Sequence, residues 1–437
     1  MEFRHWVSQK RHGRSGTGQE SARAGGSLAA AILAASLLGC AAADAPSPSP
    51  DPKLVQLRTT LLPLRGHADE GKDEEGHRIG PVLMAAKLQL RDWVERRLGG
   101  LGPAADAASF EAAINGELDR SDLLCGGDRD EVAPRCMADE VSFDETGFVE
   151  RIELKRLDDP SHLLLRTAVG VYCGVDESAY LYAWRGSAWR RVWEDEDDVA
   201  ARGTHFPRHI DDVRTSPAGE GGDGALVLSS GNYDWCSSNI QGIFYGLWRL
   251  RGAAEVPTLL VHEEHDAFRT DSFIQTSLGP DQALIEFRSL SLDGGVHSYE
   301  SVRHFAVSAD AAVRDDPIAL GPRAFVQEWL ENDWAAASVW SAPERSTALR
   351  RAHTRFHADH IYGEYLDTTR RCPVLGELWQ VGIEFHNLAT SISTGTAYFL
   401  VRWRPPYRFA MADARTTPDA RCTELDEGAD QDRTLFP

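Results

Sequence analysis

The sequence predicts a mainly β fold, in which three repeats of a four-strand unit lie between an N-terminal helical segment and a C-terminal α+β domain. Residues 147–316 contain twelve apolar runs of strand length, rich in β-branched and aromatic residues and bounded by Gly, Asp, Ser or Pro. None of these runs is long enough for a typical helix. The first two copies also keep one spacing, because 63 residues separate Cys173 from Cys236 and Tyr182 from Tyr245.

The predicted strands fall into three groups of four. They comprise residues 148–154, 163–172, 180–184 and 190–193 in the first copy, 210–215, 225–229, 243–250 and 258–262 in the second, and 273–277, 283–289, 302–307 and 312–314 in the third. Four short strands at a fixed period resemble the blades of a β-propeller. Three blades cannot close a ring, since propellers have about four to eight, and a β-sandwich of about a dozen strands is the alternative.

Short acidic segments adjoin several of these strands, at Asp211-Asp212, Asp223-Gly224 and Asp293-Gly294-Gly295. They resemble the Asp-rich loops of FG-GAP-type propellers. The alternating Asp ladder of a calcium loop is absent from all three segments. Calcium is therefore not predicted, and the sequence indicates no other cofactor.

The N-terminus contains basic residues followed by an uncharged run over residues 28–38, which is too short to span a bilayer but typical of a signal-peptide core. Leu37-Leu38-Gly39-Cys40 ends this run and resembles the lipobox of bacterial lipoproteins. The resemblance implies cleavage before Cys40, a diacylglyceryl group on its sulfur and an acyl chain such as palmitate on the new N-terminus. We therefore expect a bacterial cell-envelope protein, lipid-anchored on the extracytoplasmic side, at the periplasmic face or the cell surface. The alternative is an ordinary cleaved signal peptide.

At 437 residues the chain exceeds what one hydrophobic core usually supports, so several domains are expected. The predicted segments are a signal peptide (1–39), a lipid anchor with a Pro-rich spacer (40–53), a helical segment (54–146), the β-repeat domain (147–316) and an α+β domain with an acidic tail (317–437). The chain has 67 Asp and Glu against 46 Lys and Arg, a formal charge of -21. Nucleic-acid binding is excluded on this basis, because phosphate recognition needs a clustered basic surface.

In the helical segment, residues 81–98 have a helical period. One apolar stripe contains Leu83, Ala86, Leu90, Trp93, Val94 and Leu98. Lys87, Arg91, Glu95 and Arg96 lie off the stripe, so we expect a helix that packs through its apolar face.

In the α+β domain, Gly321-Pro322 begins a helix that carries Phe325 and Trp329. A second helix is predicted to begin at Ser341, which has the spacing of a capping box with Glu344. Strands follow at residues 378–385, 397–403 and 408–411, and these could instead complete a fourth blade.

Seven cysteines are present, and removal of Cys40 as the lipid attachment site leaves an even six. No Cys-x-x-Cys spacing occurs, which disfavours zinc ribbons and thioredoxin-type chemistry. Six cysteines allow 15 sets of pairings. The economical set joins neighbours or equivalent repeat positions: Cys125 with Cys136, Cys173 with Cys236, and Cys372 with Cys422.

Metal-binding signals are weak in this sequence. His353, His357 and His360 fall on one face of the helix predicted after Ser341, and three imidazoles on one face could hold zinc. Leu349 and Phe356 share that face, so we interpret the histidines as the margin of a packed surface and predict no metal. A second segment, residues 262–265, has the sequence His-Glu-Glu-His, whose second histidine comes one residue too early for a zinc protease. We expect it in a loop at a strand end.

No nucleophile elbow and no phosphate-binding glycine loop occur in the sequence. The anchor, the spacer and the missing catalytic motifs favour a binding or scaffold protein over an enzyme, with an envelope protein or a glycan as its partner. The alternative is an envelope hydrolase similar to glycoside hydrolases, in which two carboxylates about 5–9 Å apart in a propeller mouth suffice for the reaction.

Overall fold

The computed structural model describes residues 51–65, 73–124, 146–150, 152–171, 174–196, 207–218, 224–233, 239–251, 256–269, 273–290, 298–315, 319–357, 361–366, 369–376, 378–387, 390–404 and 408–425. Over these residues the protein is mainly β, with four antiparallel sheets after an N-terminal helical segment. This confirms the predicted class.

The N-terminal segment contains α1 (Pro52–Leu61), α2 (Asp73–Leu98) and α3 (Ala107–Arg120). Aspartates provide the N-terminal caps of α1 and α3, because Asp51 accepts the Lys53 N–H and Asp106 accepts the Ala108 and Ser109 N–H groups. Across the described residues, no helix combines the length and apolar character needed to cross a membrane.

The twelve strands of the repeat are all present. The first sheet contains β1 (Glu153–Arg156), β2 (His162–Val171), β3 (Gly174–Arg185) and β4 (Ala188–Asp195); the second contains β5 (Arg208–Thr215), β6 (Leu226–Tyr233), β7 (Ile240–Arg249) and β8 (Thr258–Phe268); and the third contains β9 (Ile274–Leu278), β10 (Gln282–Leu290), β11 (Ser298–Val307) and β12 (Ala312–Arg314). Each sheet is an antiparallel meander in chain order. The first strand begins later than predicted, because Val149 makes only isolated bridges, to Leu124 and to Val169.

The C-terminal part begins with α4 (Pro322–Glu331), α5 (Trp334–Val339) and α6 (Ser346–Phe356). The fourth sheet follows, with β13 (Ile361–Tyr365), β14 (Arg370–Arg371), β15 (Leu378–Asn387), β16 (Ser393–Arg404), β17 (Arg408–Arg415) and β18 (Glu424–Leu425). Its order is β17-β16-β15-β14-β18, with β13 also paired to β15.

The predicted capping box at Ser341 is wrong. The Ser341 hydroxyl donates to the Ala337 carbonyl at 2.6 Å and accepts the Trp329 indole N–H at 2.8 Å, so it closes α5 and does not begin a helix. The next helix, α6, starts five residues later and has no side-chain cap.

Buried apolar clusters join the layers in chain order. Strand alternation gives both the first and the second sheet two apolar faces, so each sheet is covered on both sides. The helices cover one face of the first sheet, the first and second sheets share a cluster, the second and third share another, and α4–α6 pack on the fourth sheet. No closed ring of sheets occurs among the described residues.

Residues 63 apart in the first two sheets lie in the same buried cluster between them. Leu164 and Val227 belong to the same buried cluster, and so do Leu181 and Phe244. The residues next to them, such as Leu163 and Leu226, face away from this interface and belong to different clusters. By this alignment, equivalent faces of the two sheets pack against each other.

The polar residues Lys87, Arg91 and Glu95 of α2 form a row that contacts charged and polar groups at the first sheet. Lys87 is buried in an ion pair with Asp176 of β3, and both side chains are about 1% exposed. Arg91 bonds Glu196 at 2.6 Å, and Glu95 accepts the Tyr182 hydroxyl at 3.1 Å. Spacing of four residues places this row beside the apolar stripe, where it meets polar groups of the first sheet.

Candidate functional site

The junction between the first and second sheets contains a partly exposed ionic group, which we call the His209 cluster: Arg166, Glu177, His209, Asp211 and Asn232. Arg166 lies on β2 and Glu177 on β3, and their register places both on the face that meets the second sheet. His209 and Asp211 lie on the edge strand β5, and Asn232 pairs with His209 from β6. Four strands therefore position five side chains.

Glu177 is the centre of the His209 cluster. Its Oε2 accepts the Ile210 backbone N–H at 2.7 Å and the Arg166 Nη2 at 2.8 Å, while its Oε1 lies 3.0 Å from His209 Nδ1. His209 Nε2 lies 3.4 Å from Asp211 Oδ1, and Asn232 Nδ2 donates to the other oxygen of Asp211 at 3.4 Å. One imidazole ring is thus bracketed by two carboxylates.

The pKa values in the His209 cluster are shifted by partial burial and by these contacts. Burial opposes ionisation of Glu177, but the His209 hydrogen bond and the Arg166 charge outweigh it and lower its pKa. The hydrogen bond to Glu177 raises the pKa of His209 despite some desolvation. Desolvation raises the pKa of Asp211, and the charge of His209 offsets only part of this effect.

The chemistry open to the His209 cluster is proton exchange. The side chains of His209 and Asp211 are about 40% exposed, while that of Glu177 is 13% exposed. A solvent-facing imidazole between two carboxylates can accept and release a proton near neutral pH. Glu177 is satisfied by three donors, so it holds the ring in place.

A second ionic group, the Arg303 cluster, is buried where the second sheet, the third sheet and α4 meet. Arg303 of β11 donates through Nε to Glu263 of β8 at 3.1 Å and through Nη1 to Glu328 of α4 at 2.5 Å. Ser301 and Arg314 also donate to Glu328, at 2.6 and 3.0 Å. Arg303 is 5% exposed and Glu328 is 2% exposed, while Glu263 keeps 30% of its side chain exposed. The cluster therefore joins three layers around a buried Arg303–Glu328 pair.

Charge pairing keeps the Arg303 cluster ionised. Burial opposes ionisation of Glu328, but the charges of Arg303 and Arg314 have the larger combined effect and lower its pKa to about 2. The pKa of Glu263 is also held well below its usual range: hydrogen bonding from His265 and the Arg303 charge overcome its burial. Loss of solvent around the carboxyl, together with the nearby Glu328, raises the pKa of Glu331 to about 7, although the residue keeps an exposed edge.

The His-Glu-Glu-His segment lies inside strand β8, so its predicted location in a loop is wrong. Strand alternation separates the pair of glutamates. Glu263 faces the third sheet with Tyr245 and His265 as partners, while Glu264 faces the other side, where it contacts His262 and Tyr233. Each carboxylate therefore has its own tyrosine and histidine.

His353 and His357 stabilise the end of α4. His353 Nε2 lies 2.8 Å from the Asn332 carbonyl and His357 Nε2 lies 2.6 Å from the Leu330 carbonyl, and the two rings are 4.4 Å apart. Desolvation lowers the pKa of His353. His360 lies outside the described residues. Within the described ranges, no group of three or more His, Cys, Asp or Glu is arranged to hold a metal ion.

Cys372 and Cys422 form a buried disulfide that ties the turn before β15 to the segment before β18. This is one of the three predicted pairs. Cys40, Cys125, Cys136, Cys173 and Cys236 lie outside the described residues, so their lipidation and pairing stay predictions. The described strands on either side of Cys173 and Cys236 meet at the His209 cluster, since β3 contributes Glu177 and β6 contributes Asn232.

Sequence reasoning missed both ionic clusters. Their members are up to about 70 residues apart in the sequence, and each charge is unremarkable within its own strand. Asp211 was noted only as part of a loop-like acidic pair. A charged residue at an inward-facing position of an otherwise apolar strand, such as Arg303 beside Val302, is the signal that could have found them.

Neither a protein-family model nor a curated protein matches this sequence.

Proposed function

We propose that this protein is a lipid-anchored binding or scaffold protein of the bacterial cell envelope, held on the extracytoplasmic side through Cys40. The observation that carries the proposal is Leu37-Leu38-Gly39-Cys40 at the end of an uncharged run and before a Pro-rich spacer. Its partner in this proposal is an envelope protein or a glycan.

The ionic contacts of the described layers support a scaffold role. Each junction is fixed by at least one buried or partly buried pair: Lys87 with Asp176, Glu177 with His209, Arg208 with Asp195, Arg303 with Glu263 and Arg303 with Glu328. Such pairs contribute little net stability, but a wrong arrangement of the layers would leave charges buried without partners. They favour one fixed arrangement of the sheets, which suits a protein that presents a surface.

We also propose that the three four-strand sheets are copies of one unit. Their common meander order and the 63-residue spacing support this. Blades of a propeller repeat by rotation and pack unlike faces together. Equivalent positions lie in one shared cluster, Leu164 with Val227 and Leu181 with Phe244, which favours the packing of a β-sandwich for the first two sheets.

Attachment is tested by expressing the full chain in a bacterium with labelled palmitate. The wild type should sediment with membranes and take up the label, whereas Cys40→Ser should lose both properties. Ala41→Ser, next to the proposed lipid site, is the matched control and should behave as wild type. Unlabelled mature wild-type protein in the soluble fraction would contradict the proposal.

Binding is tested with two probes. Purified peptidoglycan sacculi are mixed with the full chain and sedimented, and intact cells are treated with an amine-reactive crosslinker. Saturable co-sedimentation identifies a glycan partner, and one reproducible crosslinked species that depends on Cys40 identifies a protein partner. Release of soluble fragments from the sacculi would favour the hydrolase alternative, and the absence of both binding signals would contradict the scaffold role.

A further inference from the structure

The edge strand β5 is the part of the second sheet that the His209 cluster attaches to the first sheet. It is the first strand in the order β5-β6-β7-β8, so only one of its sides has a strand partner within the sheet. From β3, Glu177 contacts both the Ile210 N–H and the His209 ring. From β2, Arg166 donates to the Ile210 carbonyl. Both backbone groups of Ile210 are therefore held by side chains of the first sheet.

We propose that the His209 cluster is a pH-responsive latch, which fastens β5 to the first sheet at mildly acidic pH and loosens as the pH rises. The geometry sets this behaviour, since each ring nitrogen of His209 faces a carboxylate oxygen. An imidazolium donates a hydrogen bond to both carboxylates. The neutral ring donates only one and presents a lone pair to the other carboxylate. Loss of the proton therefore removes one hydrogen bond and, whichever nitrogen keeps its hydrogen, the charge attraction between the ring and Glu177 across the two sheets.

Negative charge surrounds the ring, among the described residues that pack against it. Glu177 faces it from β3 and Asp211 from its own strand, while β6 contributes the neutral Asn232. Arg166 of β2 is the one cation, and it is shared between Glu177 and, at 3.8 Å, Glu153 of β1. The excess of carboxylate over cation favours the charged ring.

The direction of the pH effect follows from the two shifts. The pKa of His209 is raised, so its stabilisation is complete below the unfolded histidine value of about 6.5 and is lost as the pH rises through the folded value. The pKa of Glu177 is lowered, so its contribution is complete above about 4.3 and is lost as the pH falls through the folded value. Between about pH 4.3 and pH 6.5 both contributions are complete, and the latch is closed. This inference does not depend on lipid attachment or on the identity of a partner.

Hydrogen–deuterium exchange of the full chain at pH 5.5 and pH 8.0, corrected for the intrinsic exchange rate, tests the latch. Protection of a peptide that covers β5 should fall about three- to tenfold at the higher pH, as expected for one lost hydrogen bond. The peptide that covers β10 serves as the internal reference and should change little.

Two variants identify the group responsible. His209→Gln should remove the pH response of the β5 peptide, and Glu177→Gln provides a second, independent way to remove it. His162→Gln is the matched control, since that ring contacts Asp159 three residues away and bridges no sheets; it should keep the response. Equal β5 protection at both pH values in the wild type would overturn the proposal, and so would a full response in His209→Gln with a normal far-ultraviolet spectrum.

Discussion

The His209 cluster and the Arg303 cluster contain the same kinds of group, and they differ in their access to solvent. Both join neighbouring layers through an arginine, glutamates and a histidine. The arginine side chain is 25% exposed in the first cluster and 5% exposed in the second, where Glu328 is 2% exposed. Water can replace a lost partner more readily at Arg166 than at Arg303 or Glu328. We therefore expect substitutions and pH to act differently at the two junctions.

The largest expected effect is that of Arg303→Met. This change leaves the buried carboxylate of Glu328 with fewer positive partners, and removal of one member of a buried ion pair costs about 3–5 kcal/mol. Arg166→Met in the His209 cluster is the matched control and should cost about 1 kcal/mol or less. Urea unfolding at pH 7 measures both values, and equal costs would show that solvent access does not separate the clusters.

Coupling between Arg303 and Glu328 is the second prediction. Glu328→Gln removes the charge that Arg303 neutralises, so the double variant should be less destabilised than the sum of the two single variants. Residues in direct contact typically couple by about 0.5–3 kcal/mol. A double-mutant cycle from unfolding free energies measures it, with Arg303 and the distant Arg166 as the uncoupled control pair. Strict additivity at the Arg303–Glu328 pair would contradict the network.

The stabilisation from Glu328 should be lost at acidic pH, and the stabilisation from His209 should be lost at alkaline pH. The lowered pKa of Glu328, about 2, means that its stabilisation is complete above the unfolded value of about 4.3 and is lost as the pH falls toward 2. The difference in unfolding free energy between wild type and Glu328→Gln should therefore shrink between pH 5 and pH 3. His209→Gln should instead lose its difference from wild type at alkaline pH.

The smallest expected effect concerns Arg251 and Asp310, which pair on the surface with 38% and 76% exposed side chains. An exposed pair contributes about 0–1 kcal/mol and is screened by salt. Arg251→Ala should leave the unfolding midpoint in urea nearly unchanged. A loss as large as that of Arg303→Met would mean that exposure alone does not rank these pairs.

Local pattern was enough to predict the strands and the apolar stripe of α2. Period and turn residues are encoded within a few positions, and all twelve repeat strands and the buried Leu90 and Trp93 follow from them. Contacts between layers join residues that are far apart in the sequence, so local pattern does not predict them. The helical pattern shows only that Lys87 lies off the apolar stripe, because its partner Asp176 is 89 residues away in the sequence.

The ionic sites could not be predicted for the same reason. Glu177 and His209 become neighbours only after two sheets have packed, and the shifts in their pKa values depend on the solvent left at that junction. At Ser341 a local pattern predicted a capping box that does not form, because the hydroxyl accepts the Trp329 indole N–H instead. Local sequence pattern predicted the individual strands and helices, whereas the ionic clusters and their pKa shifts depend on how the sheets pack.

The helices on the outward face of the first sheet also determine where the stack of sheets ends. That face carries Leu163, Leu165, Tyr180 and Tyr182, which α1–α3 keep from water. Without this cover it would resemble the faces by which the sheets pack on one another, and further copies could add there, as in repeat proteins that lack a terminal cap. The helical segment thus occupies the place of a terminal cap at this end of the described sheets.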